Sequence, residues 1–315
     1  MASNGGHKYI YLHNESSPRQ AVLQQLFRHS SALAFAKSGI LEAAKNAGAK
    51  NDGIFRFLEI GCGFGLNTFD VASLLPENAR VTAIDANKDL IDGANRNLST
   101  EQNLDLKDRI EFLAMSGEDV ATSFAGQFDA VWIRFVTIHV PDPVALIRAA
   151  KNCLKSGGIL LVEEPGGSSG QAVDPPVFAV SCLKAAYGSA REKTGADFSS
   201  GIKVGSFMKE VGGLEDIHCD SFHPLTGKGI VIPPWLGVQE TPLGKWPTQE
   251  ELFDLAIDFV RISLDTLEPK LLEMKEMTMD DLKKSRESLD EIAERDYQLF
   301  GRIGVVLQWW ATRSE

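Results

Sequence analysis

From residue 54 the sequence settles into a repeating texture in which a short apolar run is followed by a turn or cap signal and then by a helical stretch. The runs are "IFRFLEI", "ARVTAID", "RIEFLAM", "FDAVWIRF" and "GGILLVEE". Alternation of this kind argues for parallel strands covered by helices. Five consecutive strand and helix units predict a doubly wound sheet, because crossovers of one hand lay helices on both faces.

The regular texture stops after Pro165, where "GGSSGQAVDPP" reads as a turn region rich in glycine, serine and proline. Two later segments have strand character, residues 214–222 and 304–312. Between them lie two charged amphipathic stretches, residues 249–274 and 279–297, read as helices inserted to form a cap. Ahead of the first strand, residues 17–48 carry two helical patterns, with Val22, Leu23, Leu26 and Phe27, then Leu33, Phe35, Ile40 and Leu41, at helical intervals. The expected organisation is an N-terminal helical segment (1–50), a core (51–225 and 304–315) and a helical cap or lid (226–303).

Composition excludes several classes. With 43% hydrophobic residues the chain reads as globular, and its longest apolar runs, such as residues 158–162, are far too short to span a bilayer. Residues 1–7 lack the basic-then-apolar design of a signal peptide, so the expectation is a cytoplasmic protein without a membrane partner. A net charge of -11, without any block of lysine or arginine, gives no footprint for a phosphate backbone, so nucleic acid is not expected. Cys62, Cys153, Cys182 and Cys219 are scattered, with neither zinc spacing nor a disulfide framework. No cluster of Asp, Asn or His at the strand ends suggests an oxygen-ligand metal site. Small-molecule chemistry by a monomer or homodimer, without metal, is the expectation.

The chemistry gathers where the first strand turns into a helix. Gly61, Gly63 and Gly65 permit positive φ there and let a ligand approach the backbone. The next strand ends in Asp85, placed to accept both hydroxyls of a ribose. Dinucleotide folds favour a further glycine at position 66, where this chain has Leu66. Glu59, two residues before the first glycine, would sit poorly beside a pyrophosphate but suits a ligand bearing an ammonium group. Together these residues point to a cationic adenosyl cofactor. Cys62 reads as a small residue where bulk would block that ligand.

At these residues the sequence resembles the class I S-adenosylmethionine-dependent methyltransferases, in particular the small-molecule group related to ubiquinone and menaquinone biosynthesis. "FLEIGCGFG" is similar to the family's first motif, "AIDANKDLI" to its second and "AMSGEDV" to its adenine-side segment. "FDAVWIRFVTIHVPDPVALIRAAKNCLKSGGILLVEEP" is similar to the run through its fourth and fifth strands, so that residues 55–165 are well covered. "YLHNESSPRQAVLQQ" and "VVLQWWATR" look like its N-terminal helix and closing strand. The resemblance implies an α/β, Rossmann-like, doubly wound seven-stranded sheet, parallel with an antiparallel last strand, carrying N-terminal helices and a cap inserted between strands six and seven.

It also implies S-adenosylmethionine as cofactor. Gly61, Cys62, Gly63 and Gly65 would pack under it, Asp85 and Ala86 would meet the ribose, and Glu59 would help hold the methionine end. Gly117 and Glu118 would border the adenine, with Glu118 standing where an aspartate is more usual. Arg134 falls at a position whose backbone lines the methionine moiety, and Tyr11 would close over the cofactor.

Methyl transfer needs a base only where the nucleophile must lose a proton, and the candidates are His139, with Glu164 in reserve. His139 precedes "PDP" and can equally bond to backbone; Glu163 and Glu164 both end the fifth strand, where a carboxylate can also cap a loop. His218 and His223 fall on opposite faces of one strand, and Trp235, Trp246, Trp309 and Trp310 suit either a substrate pocket or packing. The resemblance implies a methyltransferase acting on a small natural-product acceptor. A fold-mate that binds the cofactor but catalyses a cyclisation or rearrangement, and an idle binding subunit, are the alternatives.

Overall fold

The computed structural model describes residues 17–47, 53–166, 195–197, 199–222, 240–245, 247–294 and 306–314. Its seven-stranded sheet contains β1 (Phe55–Ile60), β2 (Ala79–Asp85), β3 (Ile110–Ala114), β4 (Phe128–Arg134), β5 (Leu154–Pro165), β6 (Leu214–Phe222) and β7 (Val306–Arg313). In space the order is β3-β2-β1-β4-β5-β7-β6. β1 to β5 pair in parallel, whereas β7 runs antiparallel to both β5 and β6. The strand order reverses between β1 and β4, and in open sheets of this kind ligands bind outside the strand ends at that reversal.

Alternate residues of the buried strands feed two cores, because successive side chains of a strand point to opposite faces. Phe55 and Phe57 of β1, Trp132 of β4 and Leu161 of β5 join one cluster. Leu58 and Ile60, Val131 and Ile133, and Leu160 and Val162 join the other. The first core is covered by α1 (Ser17–Lys37), α2 (Ile40–Ala47), α3 (Leu66–Leu74) and α4 (Lys88–Leu98), which contribute residues such as Phe35, Ile40, Val71 and Ile91. The second is covered by α5 (Val120–Phe124), α6 (Pro143–Cys153) and α7 (Ser200–Val211), through Val120, Leu146, Val204 and Met208.

Local signals start the helices where the sequence suggests. Asn87 caps α4 by accepting from the Asp89 N–H, and Asp142 caps α6 by accepting from Ala145, with Pro143 in the first turn. Between β6 and β7 in the chain come α8 (Gln249–Glu273) and α9 (Met279–Glu294). α8 opens with a reciprocal capping box between Thr248 and Glu251. It packs on α1, where Leu26 and Phe27 share a cluster with Leu252 and with Val306 of β7. α9 lies back along α8, joined to it by Arg286 with Asp265 and by Arg261 with Asp290.

His218 stacks on Trp310 with ring centroids 5.5 Å apart, and Trp309 donates through Nε1 to the Gly201 carbonyl. Both tryptophans of β7 therefore take part in packing. Tyr11, Cys182, His223, Trp235 and Trp246 lie outside the described residues.

Candidate active site

A cavity of about 230 Å³ opens at the carboxyl ends of β1, β2 and β4. Its floor is the turn from β1 into α3. Gly61, Gly63 and Gly65 adopt φ values of 83°, 56° and 75°, a region that glycine enters without cost and other residues do not. The turn is stitched to β2, since the N–H groups of Gly61 and Cys62 both donate to the Ile84 carbonyl, at 2.8 and 3.0 Å. A side chain on Gly61 would coincide with Val136 Cγ2, and one on Gly63 would press on the Gln20 carboxamide at 2.7 Å. At Gly65 it would strike Phe112 at 2.5 Å, so this third glycine serves helix-to-strand packing and does not line the cavity.

Asp85 closes the next side. One carboxylate oxygen accepts from the Gly63 N–H (3.0 Å) and the other from the Asn87 N–H (2.9 Å). Burial raises its pKa, against those two donors. Each oxygen keeps lone pairs for a further donor. Ala86, Leu90, Met115, Ser116, Gly117 and Glu118 continue the wall, and a Cβ on Gly117 would meet Leu146 and Ile60 at 2.6 and 2.7 Å. On the far side stand Arg134, Phe135, Val136, His139 and Val140.

Of the residues singled out in the sequence, Gly61, Cys62, Gly63, Asp85, Ala86, Gly117, Glu118, Arg134 and His139 thus meet around one cavity. Glu59 and Glu164 do not line it. Glu59 is buried behind the glycine turn, where Oε2 accepts from Thr68 Oγ1 at 2.6 Å. Burial pushes its pKa up to about 7, opposed by that bond and by Arg134. Arg134, 7% exposed, donates from Nη1 to Asn67 Oδ1 at 2.6 Å, and its pKa is lowered by burial, opposed chiefly by Glu163 and Glu59. Glu59 and Arg134 together tie the first turn of α3 to the ends of β1 and β4.

The two glutamates ending β5 fall on opposite faces. Glu163 shares the face of Leu161, taking Trp132 Nε1 and Gln308 Nε2, both at 2.9 Å. Glu164 shares the face of Val162 and accepts through Oε1 from the N–H groups of Val136 (2.9 Å) and Thr137 (2.6 Å). Burial pushes its pKa up to about 8 against those donors. Its place is behind the wall that carries His139 and not in the cavity.

One wall escaped the sequence reading. Arg19, Gln20, Leu23 and Gln24 of α1 also line the cavity. Gln20 accepts from the Phe64 N–H at 3.3 Å, Gln24 donates to Asp70 at 2.6 Å, and the Arg19 guanidinium lies 5.6 Å from the Phe259 ring of α8.

The donor set suits an adenosyl group with a charged tail. It comprises a partly buried carboxylate at the end of β2, apolar side chains beside the Ser116–Glu118 backbone, and a side-chain-free floor leading to a buried guanidinium. Residues 58–162 match the family described as a methyltransferase domain. A ubiquinone biosynthesis O-methyltransferase of Xanthomonas axonopodis pv. citri (strain 306) is 31% identical over 185 residues, which is 57% of this chain and 67% of that one. Its counterpart in Xanthomonas campestris pv. campestris (strain B100) is 35% identical over 132 residues, 42% of this chain and 49% of that one. The chain thus spans two thirds of the first relative and about half of the second. In fold it is similar to a Galdieria sulphuraria protein assigned as a sarcosine dimethylglycine methyltransferase. That likeness has a TM-score of 0.52 at 15% identity and covers 97% of this chain and 93% of that one.

The chain belongs to the class I S-adenosylmethionine-dependent methyltransferases, among those related to the ubiquinone biosynthesis enzymes. It is accordingly an enzyme, and S-adenosylmethionine is its cofactor. Among the described residues no helix is long and apolar enough to cross a membrane.

Proposed function

We propose that this enzyme methylates a hydroxyl oxygen on a small, largely apolar acceptor of natural-product type. The observation that carries the reading is the composition of the wall beyond Arg134. Leu23, Phe135, Val136 and Val140 present apolar surface there, with a single imidazole, His139, among them. The O-methyltransferase names of the related proteins support oxygen as the acceptor atom.

The bound cofactor supplies an electrophilic methyl group on a sulfonium whose leaving group is already in place. The chain's own task is then to bind, to orient and to keep water out, and orientation alone can remove much of such a barrier. Asp85 takes the ribose hydroxyls, Ala86 and the Met115–Glu118 segment border the adenine, and Gly61 and Gly63 let the methionine end lie against bare backbone. Glu59 and Arg134 act one step back by holding the first turn of α3. An imidazole nitrogen of His139 takes the hydroxyl proton as the oxygen attacks. α8 packs on α1, whose side chains form one wall, which supports reading residues 226–303 as a lid over the acceptor.

The test is to incubate the protein with S-adenosylmethionine and a panel of hydroxylated aromatic and terpenoid acceptors. S-adenosylhomocysteine and O-methylated product should rise one for one by mass spectrometry. His139→Ala should lower kcat by about 10²- to 10⁴-fold while leaving S-adenosylhomocysteine affinity unchanged. Conversion of an acceptor without S-adenosylhomocysteine would sink the reading, as would an unimpaired His139→Ala variant on a hydroxyl acceptor.

A further inference from the structure

Phe135 is one of three described residues other than glycine with positive φ, at 56°, and the only one of them at the cavity. A bulky aromatic side chain in the left-handed region is strained, and such a conformation persists only where its surroundings over-determine it. Here three consecutive amides are held. The Phe135 N–H donates to the Glu163 carbonyl at 2.9 Å, and those of Val136 and Thr137 both donate to Glu164 Oε1.

The bend at Phe135 sets the course of the next four residues. Val136 is turned so that its Cγ2 fills the space above Gly61, which binds its position to the floor of the cavity. The Phe135 ring meets Phe27 of α1 edge to face at 5.6 Å and carries the Arg134 guanidinium 4.6 Å from its centroid. Thr137 opens the single helical turn that ends in His139, whose N–H donates to the Val136 carbonyl at 2.8 Å. Behind this segment Glu164 is fully buried, Thr137 Oγ1 and Ser200 Oγ share a 2.8 Å bond, and a side chain on Gly201 would collide with the Pro165 carbonyl. Glu164 is thereby fenced off from the cavity while governing the backbone of its wall.

We propose that Glu164 is a positioning residue: by accepting the N–H groups of Val136 and Thr137 it fixes the left-handed bend at Phe135, and with it the wall formed by Phe135, Val136 and His139. It takes no proton from the acceptor. Only the description of that wall as the acceptor's rests on the proposed function. The raised pKa agrees, since a carboxyl that keeps its proton near neutral pH acts on these amides as a neutral acceptor, a part that glutamine can play.

The experiment compares Glu164→Gln with Glu164→Ala in the full chain, by amide hydrogen exchange and by calorimetry with S-adenosylhomocysteine. Glu164→Ala should speed exchange across residues 135–139 by about tenfold or more and weaken S-adenosylhomocysteine by roughly fivefold, while distant strands keep their protection. Glu164→Gln should stay within about twofold of wild type on both counts. Unchanged exchange in Glu164→Ala, or a Glu164→Gln variant as impaired as Glu164→Ala, overturns the proposal. If Glu164→Ala does not fold, Glu164→Asp replaces it: its shorter side chain cannot reach both amides, so local exchange must rise, and unchanged exchange is again fatal. Neither measurement contains an acceptor, so an error about the acceptor would leave both results standing.

Discussion

Asp85 holds two amides with one side chain, and in the proposed function it takes the ribose as well. Its two oxygens pin the Gly63 and Asn87 amides, and so hold the glycine turn against the start of α4, and the same oxygens have capacity left for ribose hydroxyls. Removing it costs hydrogen bonds to a charged group, worth about 1.5–3 kcal/mol each. Asp85→Ala should therefore weaken S-adenosylhomocysteine by roughly tenfold to a hundredfold in calorimetry, with Asp85→Asn between it and wild type. An Asp85→Ala protein that binds as well as wild type would remove this residue from the cofactor site. Cys62 sits beside it, buried, with its thiol pKa well above the ordinary range, chiefly from desolvation and then from Glu59 and Asp85. A thiol so disfavoured as thiolate is a small packing group and no nucleophile.

The ends of β1 and β5 concentrate buried carboxyls, and they give the elements a pH dependence whose sign can be worked out. In the folded state Glu59 and Glu164 titrate at about 7 and about 8, against an ordinary value of 4.5. Below the ordinary value both states hold these protons and nothing is lost. Between it and the raised values the unfolded chain releases protons that the folded chain retains, so this contribution falls as pH rises. Glu164→Gln, which cannot ionise, should gain in urea midpoint on wild type between about pH 5 and about pH 9. A gap that stays constant or shrinks with pH would contradict the burial of that carboxyl. The same elements mark how far the sequence alone reaches. Apolar runs disclosed β1 to β5, and glycine spacing disclosed the turn. The parity of Glu163 and Glu164 was hidden, because both faces of β5 are buried and neighbouring residues look alike. Glu59 read as a ligand group, since nothing in the sequence shows that Thr68, in the first turn of α3, would donate to its oxygen. In residues 17–48 the apolar positions alone drew notice, yet Gln20 and Gln24 between them meet the Phe64 amide, Asp70 and the cavity.

At the scale of the whole molecule, α1 joins what the sheet builds to what the insertion adds. One of its faces supplies Gln20, Leu23 and Gln24 to the cavity, and Leu26 and Phe27 receive Leu252 of α8. His29 Nδ1 and Thr241 Oγ1 share a further bond of 2.7 Å. Leu252 is 1% exposed, and truncating a leucine so placed costs about 2–5 kcal/mol. Leu252→Ala should lower Tm and also weaken S-adenosylhomocysteine, because its cluster also packs Leu23 and Phe135, which line the cavity. A lower Tm with unchanged affinity would mean that the insertion and the cofactor site are independent.

The placement of β7 also orders events in time. It comes after β6 in the chain only once all of α8 and α9 have passed, yet it must slide between β5 and β6 to complete the sheet. It brings Gln308, which donates to both Glu163 and the Ser30 carbonyl. On the ribosome β1 to β5 and their helices emerge first and can assemble. Among the described strands β6 pairs with β7 alone, so the nascent protein carries an unfilled slot beside β5 throughout synthesis of the insertion.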